Sequence, residues 1–454
     1  MKIKPFKAYR FSEAVVGDVG RCIAPPYDVI RPAQQKRLYE KSQYNIVRIT
    51  KGITTPADSQ ADNQYTRAAE VFKNWLATGA LAQDAVEAIY GYVQDFQIGG
   101  ADFQRLTFIA LAKLEELGAV VRPHERILSE PITDRLNLVR ATQAQFGLVF
   151  MLYEDPDGVA DKAIQKVAVQ KPVIDFVDDD AVRHRVFAIA DKKAIASIAK
   201  MMRNKTCVIA DGHHRYTTGL LYAKESDNPA AQCQMLGFCN TRHEGLIVLA
   251  THRLVGGLDN FNFDDLLSGL ETSFKLTKYP FDPAQGRPFN SDGTKLAARR
   301  QMLEQMKAEH QRDKNAFGIY GAAGAPSAVS SGPNCFYVAV LADASAMDSA
   351  APDMSVSWRS LDVAILQKLI LEKLLGIGDE QLAGGKHIEY VKDGNHAVDE
   401  VIAKVDSGCK QAAFFLNPPK IRQIQLVAEH GERMPQKSTY FYPKLFTGLT
   451  IQKL

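Results

Sequence analysis

Residues 208–221 read Val208-Ile209-Ala210-Asp211-Gly212-His213-His214-Arg215-Tyr216-Thr217-Thr218-Gly219-Leu220-Leu221. A short apolar run leads into Asp211 and Gly212, and an Asp-Gly pair is a strong turn signal. The residues after the turn have the spacing of a helix. The stretch therefore predicts a strand that ends at Asp211 and a helix that begins directly after Gly212.

The residues of this turn favour the binding of an anion. The start of a helix presents backbone N–H groups and a positive dipole end, which together attract phosphate or carboxylate. Gly212 would let the backbone approach the ligand, and Arg215 could add a bidentate contact. Asp211 would cap the helix, bind Mg²⁺ or act as a base. The leading interpretation is a phosphate or nucleotide site.

Two other interpretations of the turn remain open. His213 and His214 could be zinc ligands, although adjacent helical side chains point about 100° apart and seldom chelate one ion. Alternatively, Asp211 only caps the helix, and the histidines are surface or core residues. The sequence contains no P-loop, no dinucleotide-binding glycine fingerprint and no nucleophile elbow. Any nucleotide would therefore be bound by a different scaffold.

The composition is that of an ordinary soluble globular protein. The 454 residues are 46% hydrophobic and 24% charged, and the formal net charge is only +3. This charge gives no reason to expect binding to nucleic acid or to a membrane. The six cysteines form no C-x-x-C pair, and no apolar stretch approaches the ~20 residues of a membrane span. The N-terminus also lacks the apolar run of a signal peptide, so a cytoplasmic location is predicted.

The length exceeds that of a usual single domain. We predict an N-terminal α+β domain over residues 1–256, which carries the Asp-Gly turn. A C-terminal α+β domain is predicted over residues 257–454, and its last stretch can return to the site. Alternating strands and helices favour a mixed α/β or α+β architecture.

Several segments carry clear local signals. Gly99 and Gly100 predict a β-hairpin between Ala88–Ile98 and Phe103–Leu114. Apolar spacing predicts helices at Asp58–Thr78, Lys192–Met202 and Leu361–Leu375. Further strands are predicted at Tyr44–Thr50, Gln234–Asn240, Gly245–Ala250, Ala316–Tyr320 and Cys335–Leu341. Of these, 234–240 and 245–250 are predicted to pair with each other, and 321–334 is predicted to be a long loop.

Other segments add candidate site residues. Pro25 and Pro26 make a rigid extended segment that could hold Asp28 beside a ligand, although such loops are more often structural. Glu125 could act as a carboxylate base and Arg135 could bind an anion, but surface ion pairs have the same composition.

Two more candidate cations lie farther along the chain. Arg253 ends the block Thr251-His252-Arg253, which is ambiguous when taken alone. Lys437 and Lys444 flank an aromatic segment near the C-terminus. Lys437 either contributes to an anion site or belongs to a segment that closes the core, and the two interpretations are equally supported.

Together, these blocks resemble the uncharacterised bacterial and archaeal "domain of unknown function" family 1015. The resemblance runs over nearly the whole chain and rests on five blocks in order. The blocks are Ala24-Pro25-Pro26-Tyr27-Asp28-Val29-Ile30, His124-Glu125 with Asp134-Arg135-Leu136, Ala210-Asp211-Gly212-His213-His214-Arg215-Tyr216, Thr251-His252-Arg253, and Met434-Pro435-Gln436-Lys437-Ser438-Thr439-Tyr440-Phe441-Tyr442-Pro443-Lys444. The family has no settled function, so membership implies no activity.

The Asp-Gly turn also resembles a motif of ParB/sulfiredoxin-like proteins. Some of these proteins bind CTP or ATP, and the free-serine kinases among them carry a similar Asp-Gly-x-His-Arg sequence. The resemblance implies that Gly212, His213, His214 and Arg215 bind nucleotide phosphates and that Asp211 lies near a metal or an acceptor hydroxyl. It also implies a ParB/sulfiredoxin-like core with large insertions and a C-terminal α+β part.

The predicted function is nucleotide-dependent transfer of phosphate to a small hydroxyl metabolite such as serine, with ATP or ADP and Mg²⁺ as expected cofactors. The candidate catalytic residues are Asp28, Glu125 and Asp211. The candidate phosphate-binding residues are Gly212, His213, His214, Arg215, Arg135, Arg253 and Lys437. Two alternatives are a non-enzymatic nucleotide-binding regulatory switch and a metal-dependent hydrolase that uses His213 and His214. The expected partner is a small-molecule substrate, and no oligomeric state is predicted.

Overall fold

The computed structural model of the chain describes residues 1–125, 129–281, 294–321, 335–378, 381, 386–394 and 396–454. Its contacts divide the chain into two compact units. Unit 1 comprises Met1–Ile247 with Phe441–Leu454, and unit 2 comprises Val248–Tyr440. Both units contain helices and sheets, which confirms the predicted α+β class. The domains predicted over 1–256 and 257–454, and the ParB/sulfiredoxin-like core, remain predictions.

The regular elements are numbered in chain order. The strands are β1 (Ile3–Lys4), β2 (Tyr9–Phe11), β3 (Leu81–Gln83), β4 (Ile89–Ile98), β5 (Ala101–Lys113), β6 (Val121–Arg122), β7 (Ala144–Gln145), β8 (Val149–Tyr153), β9 (Ile174–Val177), β10 (Arg183–Ile189), β11 (Cys207–Asp211), β12 (Cys233–Asn240), β13 (Ile247–Leu249), β14 (Thr251–Val255), β15 (Phe274–Pro280), β16 (Ala316–Tyr320), β17 (Cys335–Leu341), β18 (Ile388–Lys392), β19 (Ala412–Phe415), β20 (Tyr440–Tyr442) and β21 (Gln452–Lys453). The α-helices are α1 (Glu13–Val16), α2 (Pro32–Lys41), α3 (Val47–Thr50), α4 (Gln64–Ala77), α5 (Ser129–Thr142), α6 (Val159–Val167), α7 (Lys192–Met202), α8 (His213–Glu225), α9 (Phe263–Leu270), α10 (Lys295–Gln311), α11 (Ala346–Ala350), α12 (Val356–Arg359), α13 (Asp362–Ile365), α14 (Ala397–Asp406) and α15 (Ile421–Glu429).

A nine-stranded sheet organises unit 1. Its order is β6-β11-β8-β12-β5-β4-β10-β9, and β1 pairs with β5 off this path. The predicted hairpin is confirmed, because β4 and β5 pair antiparallel across Gly99 and Gly100, which both have positive φ. Strand β11 lies parallel to β6 and antiparallel to β8, and its register shifts between Ile209 and Asp211. A shift of this kind redirects a side chain, and here it directly precedes the turn that follows β11.

Helix α8 is fixed against this sheet by its apolar face. Tyr216 and Leu220 belong to the same buried cluster as Phe108 and Phe238 of the neighbouring strands. The hydroxyl of Tyr216 also donates a hydrogen bond to the carbonyl oxygen of Glu115, at 2.8 Å. These contacts set the direction of the first turn of α8.

A second apolar cluster of unit 1 packs around α4. Phe72 and Trp75 are buried, and burial of such side chains stabilises the fold by roughly 1.5–3 kcal/mol each. Helix α4 begins later than the predicted Asp58 because Asn63 caps it and forms a capping box with Thr66. The predicted helix Lys192–Met202 is confirmed as α7.

Three local predictions were wrong. The strand predicted at Tyr44–Thr50 contains helix α3 instead, because buried Asn45 accepts a hydrogen bond from the N–H of Val47 and starts a helical turn. Strand β12 pairs with β5 and β8 rather than with 245–250. The single helix predicted at 361–375 is divided into α13 and a π-helical segment, Leu366–Glu372.

Unit 2 contains a six-stranded sheet of order β15-β17-β16-β19-β14-β18, in which neighbouring strands are antiparallel. The strands predicted at 316–320 and 335–341 are confirmed as β16 and β17. Met302 and Met306 of α10 pack with Val401 and Val405 of α14 in the buried apolar cluster of unit 2. Of the loop predicted at 321–334, residues 322–334 lie outside the described residues.

Among the helices that the structure describes, none has the length and apolarity that a membrane span requires.

Candidate functional site

The predicted strand, turn and helix are present as β11, Gly212 and α8. Gly212 adopts φ +93°, which side-chain-bearing residues rarely adopt. A Cβ at this position would also lie 2.9 Å from Nε of Arg215. Glycine is therefore favoured at this position for two reasons. The backbone has a positive φ, and a side chain would come too close to the guanidinium group of Arg215.

Two cations hold the carboxylate of Asp211. Nζ of Lys444 donates to Oδ1 at 2.6 Å, and Nη2 of Arg215 donates to Oδ2 at 2.7 Å. Burial alone would raise the pKa of Asp211, but Lys444 and Arg215 outweigh it and hold that pKa well below its ordinary value. Asp211 is thus a permanently charged anchor for both cations near neutral pH.

Lys444 reaches Asp211 because two buried side chains of the sheet hold the backbone around it. Arg105 of β5 donates to the carbonyl oxygens of Tyr442, at 3.1 Å, and of Pro443. Nε2 of Gln94 on β4 donates to the carbonyl oxygen of Lys444 at 3.0 Å. Arg105 is fully buried, and its burial lowers the pKa of the guanidinium group. A buried arginine held by carbonyl oxygens fixes the path of the chain that carries Lys444.

His213, the first residue of α8, lies between His124 and Glu125. Its Nε2 accepts a hydrogen bond from the backbone N–H of His124 at 3.3 Å, so the ring proton belongs on Nδ1. Nδ1 lies 3.8 Å from Oε2 of Glu125, whose side chain is 36% exposed. His124 in turn directs its own Nδ1 to the carbonyl oxygen of Ile209 at 2.7 Å. The turn after β6 is therefore attached to both β11 and α8, and it brings Glu125 to the start of α8.

A pocket lies beside the start of α8 within unit 1. Its wall includes Arg215, Arg135 and Tyr27, which come from three separate sequence blocks. Arg215 also reaches the carbonyl oxygen of Leu148, and Gly147 lines the pocket next to it. The structure thus brings two of the predicted anion-binding arginines to one cavity.

Arg135 is held firmly at this pocket. Its Nε donates to Asp134 at 2.8 Å, and its Nη1 donates to the carbonyl oxygen of Thr50 at 2.8 Å. The guanidinium carbon lies 3.9 Å from the centre of the Tyr27 ring. Burial raises the pKa of Tyr27, and the charge of Arg135 partly opposes that effect. Tyr27 is therefore neutral and forms an aromatic wall of the pocket.

The remaining predicted residues lie in different places. Asp28 is exposed in the short 3₁₀ turn Tyr27–Val29, directly after the pocket residue Tyr27. His214 is half-buried in the first turn of α8. Arg253 and Lys437 belong to unit 2, where Nη2 of Arg253 donates to the carbonyl oxygen of Lys437 at 3.1 Å. Burial lowers the pKa of Arg253 to about 10.

Within the described residues, no group of three or more His, Cys, Asp or Glu side chains is placed to hold a metal ion. Asp211 fits poorly as a ligand for Mg²⁺, since each of its oxygens already accepts a hydrogen bond from a cation. A divalent ion at Asp211 would have to displace Lys444 or Arg215.

Three contributors to this site are not predicted by the sequence. In the sequence Lys444 is only a cation that flanks an aromatic segment, and Lys437 is the predicted anion-binding residue. Arg105 and Gln94 carry no motif, and the only available signal was their polarity within strands that are otherwise buried. An arginine inside a buried run indicates that its side chain has specific partners, because an arginine is seldom fully buried without them.

The chain was compared with known families and structures. A family model described as "Protein of unknown function (DUF1015)" matches residues 3–364. A free serine kinase in complex with AMP is similar with a TM-score of 0.34 and 12% identity, over 73% of this chain and 86% of that chain. A conserved hypothetical protein from Pyrococcus furiosus has a TM-score of 0.34 and 13% identity, over 76% and 94% of the two chains. SbnI with C-terminal truncation from Staphylococcus aureus has a TM-score of 0.32 and 8% identity, over 74% and 84%. No match was found among curated proteins.

Proposed function

We propose that this chain, which belongs to the DUF1015 family, binds the phosphates of a nucleotide and transfers a phosphate to a small hydroxyl metabolite such as serine. The observation that carries the proposal is the position of Arg215. This side chain borders both the Asp-Gly turn and the pocket, whose wall holds a second guanidinium group, that of Arg135. Positive charge at a helix start beside a pocket suits phosphate groups.

The phosphates would be held by the first turn of α8 and by the guanidinium group of Arg215. Gly212 has no side chain and lets phosphate oxygens approach the backbone of His213 and His214. A guanidinium group has five N–H donors, and the hydrogen bonds to Asp211 and Leu148 use two of those of Arg215. Within the described residues, this leaves donors on Arg215 for a phosphate.

Among the three candidate bases, Glu125 fits the chemistry best. Asp211 is a weak base, since its pKa is held low and both of its oxygens accept from cations. Asp28 is exposed, whereas Glu125 is partly buried beside His213 at the start of α8. In the proposed step, the acceptor hydroxyl oxygen attacks the γ-phosphorus of ATP, and the bond from that phosphorus to the bridging oxygen breaks. The hydroxyl proton passes to Glu125, and ADP leaves.

In this proposal Asp211 is a positioning residue. It orients Arg215 and is itself fixed by Lys444, whose backbone is held by Arg105 and Gln94. Such support keeps a guanidinium group in place, so little conformational entropy is lost when the phosphate binds. Mg²⁺ that arrives with the nucleotide would supply further charge neutralisation, and Asp211 would not need to ligate it.

Calorimetric titration with ATP, ADP, CTP and pyrophosphate, each with and without Mg²⁺, tests the binding step. Arg215→Ala should weaken nucleotide binding about 10- to 100-fold, because a hydrogen bond to a charged group contributes about 1.5–3 kcal/mol. Arg140→Ala is the matched control, since Arg140 pairs with Glu225 at the other end of α8 and is half exposed. Arg215→Lys should show an intermediate loss, because it keeps the charge and removes the planar fork. Equal affinity of Arg215→Ala and the wild type would contradict the phosphate assignment.

Turnover tests the transfer step. The wild type incubated with ATP and serine, or with a panel of small hydroxyl metabolites, should release ADP and form a phosphorylated product. Glu125→Gln should retain nucleotide affinity and lose most of the turnover, because a general base contributes about 10²- to 10⁴-fold. Nucleotide binding without turnover on any acceptor would instead favour the regulatory switch.

A further inference from the structure

The pocket beside Arg215 extends along one face of α8. Positions 215, 218, 219 and 222 of this helix line it, which is the spacing of one helical face. The other lining residues include the apolar or aromatic side chains Tyr27, Leu138 and Phe146. The cavity thus has guanidinium groups in its wall together with a broad apolar surface.

Thr218 lines this pocket, and among the described residues its hydroxyl group has no hydrogen-bond partner. Thr218 lines the cavity and is 2% exposed, and within the described residues its Oγ1 makes no hydrogen bond. A helical threonine can usually bond the carbonyl oxygen one turn earlier, so a buried hydroxyl without any partner is uncommon. Such a group is costly to bury unless a ligand satisfies it.

The next residue on this face adds a second polar group. Gly219 also lines the pocket, and a Cβ there would collide with Oε1 of Gln234. Glycine therefore leaves room for the carboxamide of Gln234, which lines the same cavity. A hydroxyl and a carboxamide beside apolar and aromatic side chains match a flat ligand that has a few polar atoms on its edge.

We infer that this pocket holds the nucleoside half of the nucleotide, with a polar atom of the nucleoside bonded to the hydroxyl of Thr218. The inference rests on the proposed function, in which Arg215 contacts the phosphates. Arg215 connects the phosphate site with the nucleoside pocket, since it borders both the helix start and the pocket. A metabolite such as serine has too little apolar surface for walls of Tyr27, Leu138 and Phe146, whereas a base has two apolar faces.

The test compares ATP with inorganic tripolyphosphate, which has the phosphates and lacks the nucleoside. The wild type should bind ATP at least tenfold more tightly than tripolyphosphate. Thr218→Val, which keeps the shape and removes the hydroxyl, should weaken ATP about two- to tenfold and leave tripolyphosphate unchanged. Thr217→Val is the matched control. The Thr217 hydroxyl also lacks a partner among the described residues, but Thr217 does not line the pocket.

The outcomes separate this inference from the proposed function. If Thr218→Val weakens ATP alone and Thr217→Val has no effect, the nucleoside lies in the pocket. If ATP and tripolyphosphate bind the wild type equally well, or Thr218→Val leaves ATP affinity unchanged, the nucleoside lies elsewhere while the phosphate site stands. If neither compound binds, the proposed function fails, and the inference fails with it. Thermal unfolding of the ligand-free variants checks folding, and Thr218→Val should be at least as stable as the wild type, because it removes an unsatisfied buried hydroxyl.

Discussion

Replacing Lys444 by methionine tests whether Asp211 depends on a cation from the C-terminal segment. Nζ of Lys444 lies 2.6 Å from Oδ1 of Asp211, and the two side chains are only 10% and 18% exposed. Removing one partner of a buried ion pair costs about 3–5 kcal/mol. Arg215 still contacts the other oxygen at 2.7 Å, and methionine keeps most of the apolar stem. We therefore expect the free energy of unfolding to fall by about 2–3 kcal/mol.

Urea unfolding followed by circular dichroism measures this loss, with an unchanged m-value as the check that only stability has changed. Lys453→Met is the matched control, since Lys453 is exposed on the same C-terminal segment, and it should change stability by less than about 0.5 kcal/mol. A double-mutant cycle with Asp211→Asn should give a coupling energy of about 1–3 kcal/mol. A coupling near zero would refute the reasoning, because Lys444 would then act independently of Asp211.

Three further predictions concern the turn and unit 2. Gly212→Ala should lower the free energy of unfolding by about 1–3 kcal/mol and weaken phosphate binding, because φ is +93° and Nε of Arg215 is too close; urea unfolding and calorimetry measure both. The folded pKa of Asp211 is lowered, so its contribution to stability is complete above about pH 4 and is lost as the pH falls. The difference in stability between wild type and Asp211→Asn should therefore shrink below about pH 4 in acid titrations. Burial raises the pKa of Asp362 to about 7, so the folded state retains a proton and stability falls as the pH rises from about 4 to 7. Asp362→Asn should raise the unfolding temperature at pH 8 and change it little at pH 4, and no difference at pH 8 would contradict the pKa assignment.

Local signals in the sequence predicted much of the secondary structure. The Gly99-Gly100 hairpin, the helix at 192–202 and the strands at 316–320 and 335–341 follow from turn residues and periodicity, which act over a few positions. The short strand predicted at 44–50 was wrong, because a single buried side chain, Asn45, overrides the apolar pattern there. Propensity is a weak guide where a side chain hydrogen-bonds the nearby backbone.

The family predicted from five ordered blocks is confirmed by the match over residues 3–364. Arg135 and Arg215 are both predicted to bind phosphate, and the structure brings these two side chains to one pocket, together with Tyr27. The assignment of Arg253 and Lys437 to the phosphates stays a prediction, as does the catalytic role of Glu125.

The Asp-Gly turn that ends β11 was determined by sequence alone, because a glycine after an apolar run and before a helical pattern specifies its own backbone. The charge and the ion pairs of Asp211 in that turn were decided only by tertiary structure. Asp211 is an anion held between two cations, because Lys444 reaches it from 233 positions away. That contact depends on the path of the C-terminal segment, which Arg105 and Gln94 hold from the middle of two strands. No local pattern encodes such a contact, since hydrogen bonds from buried side chains to a distant backbone leave no periodicity in the sequence.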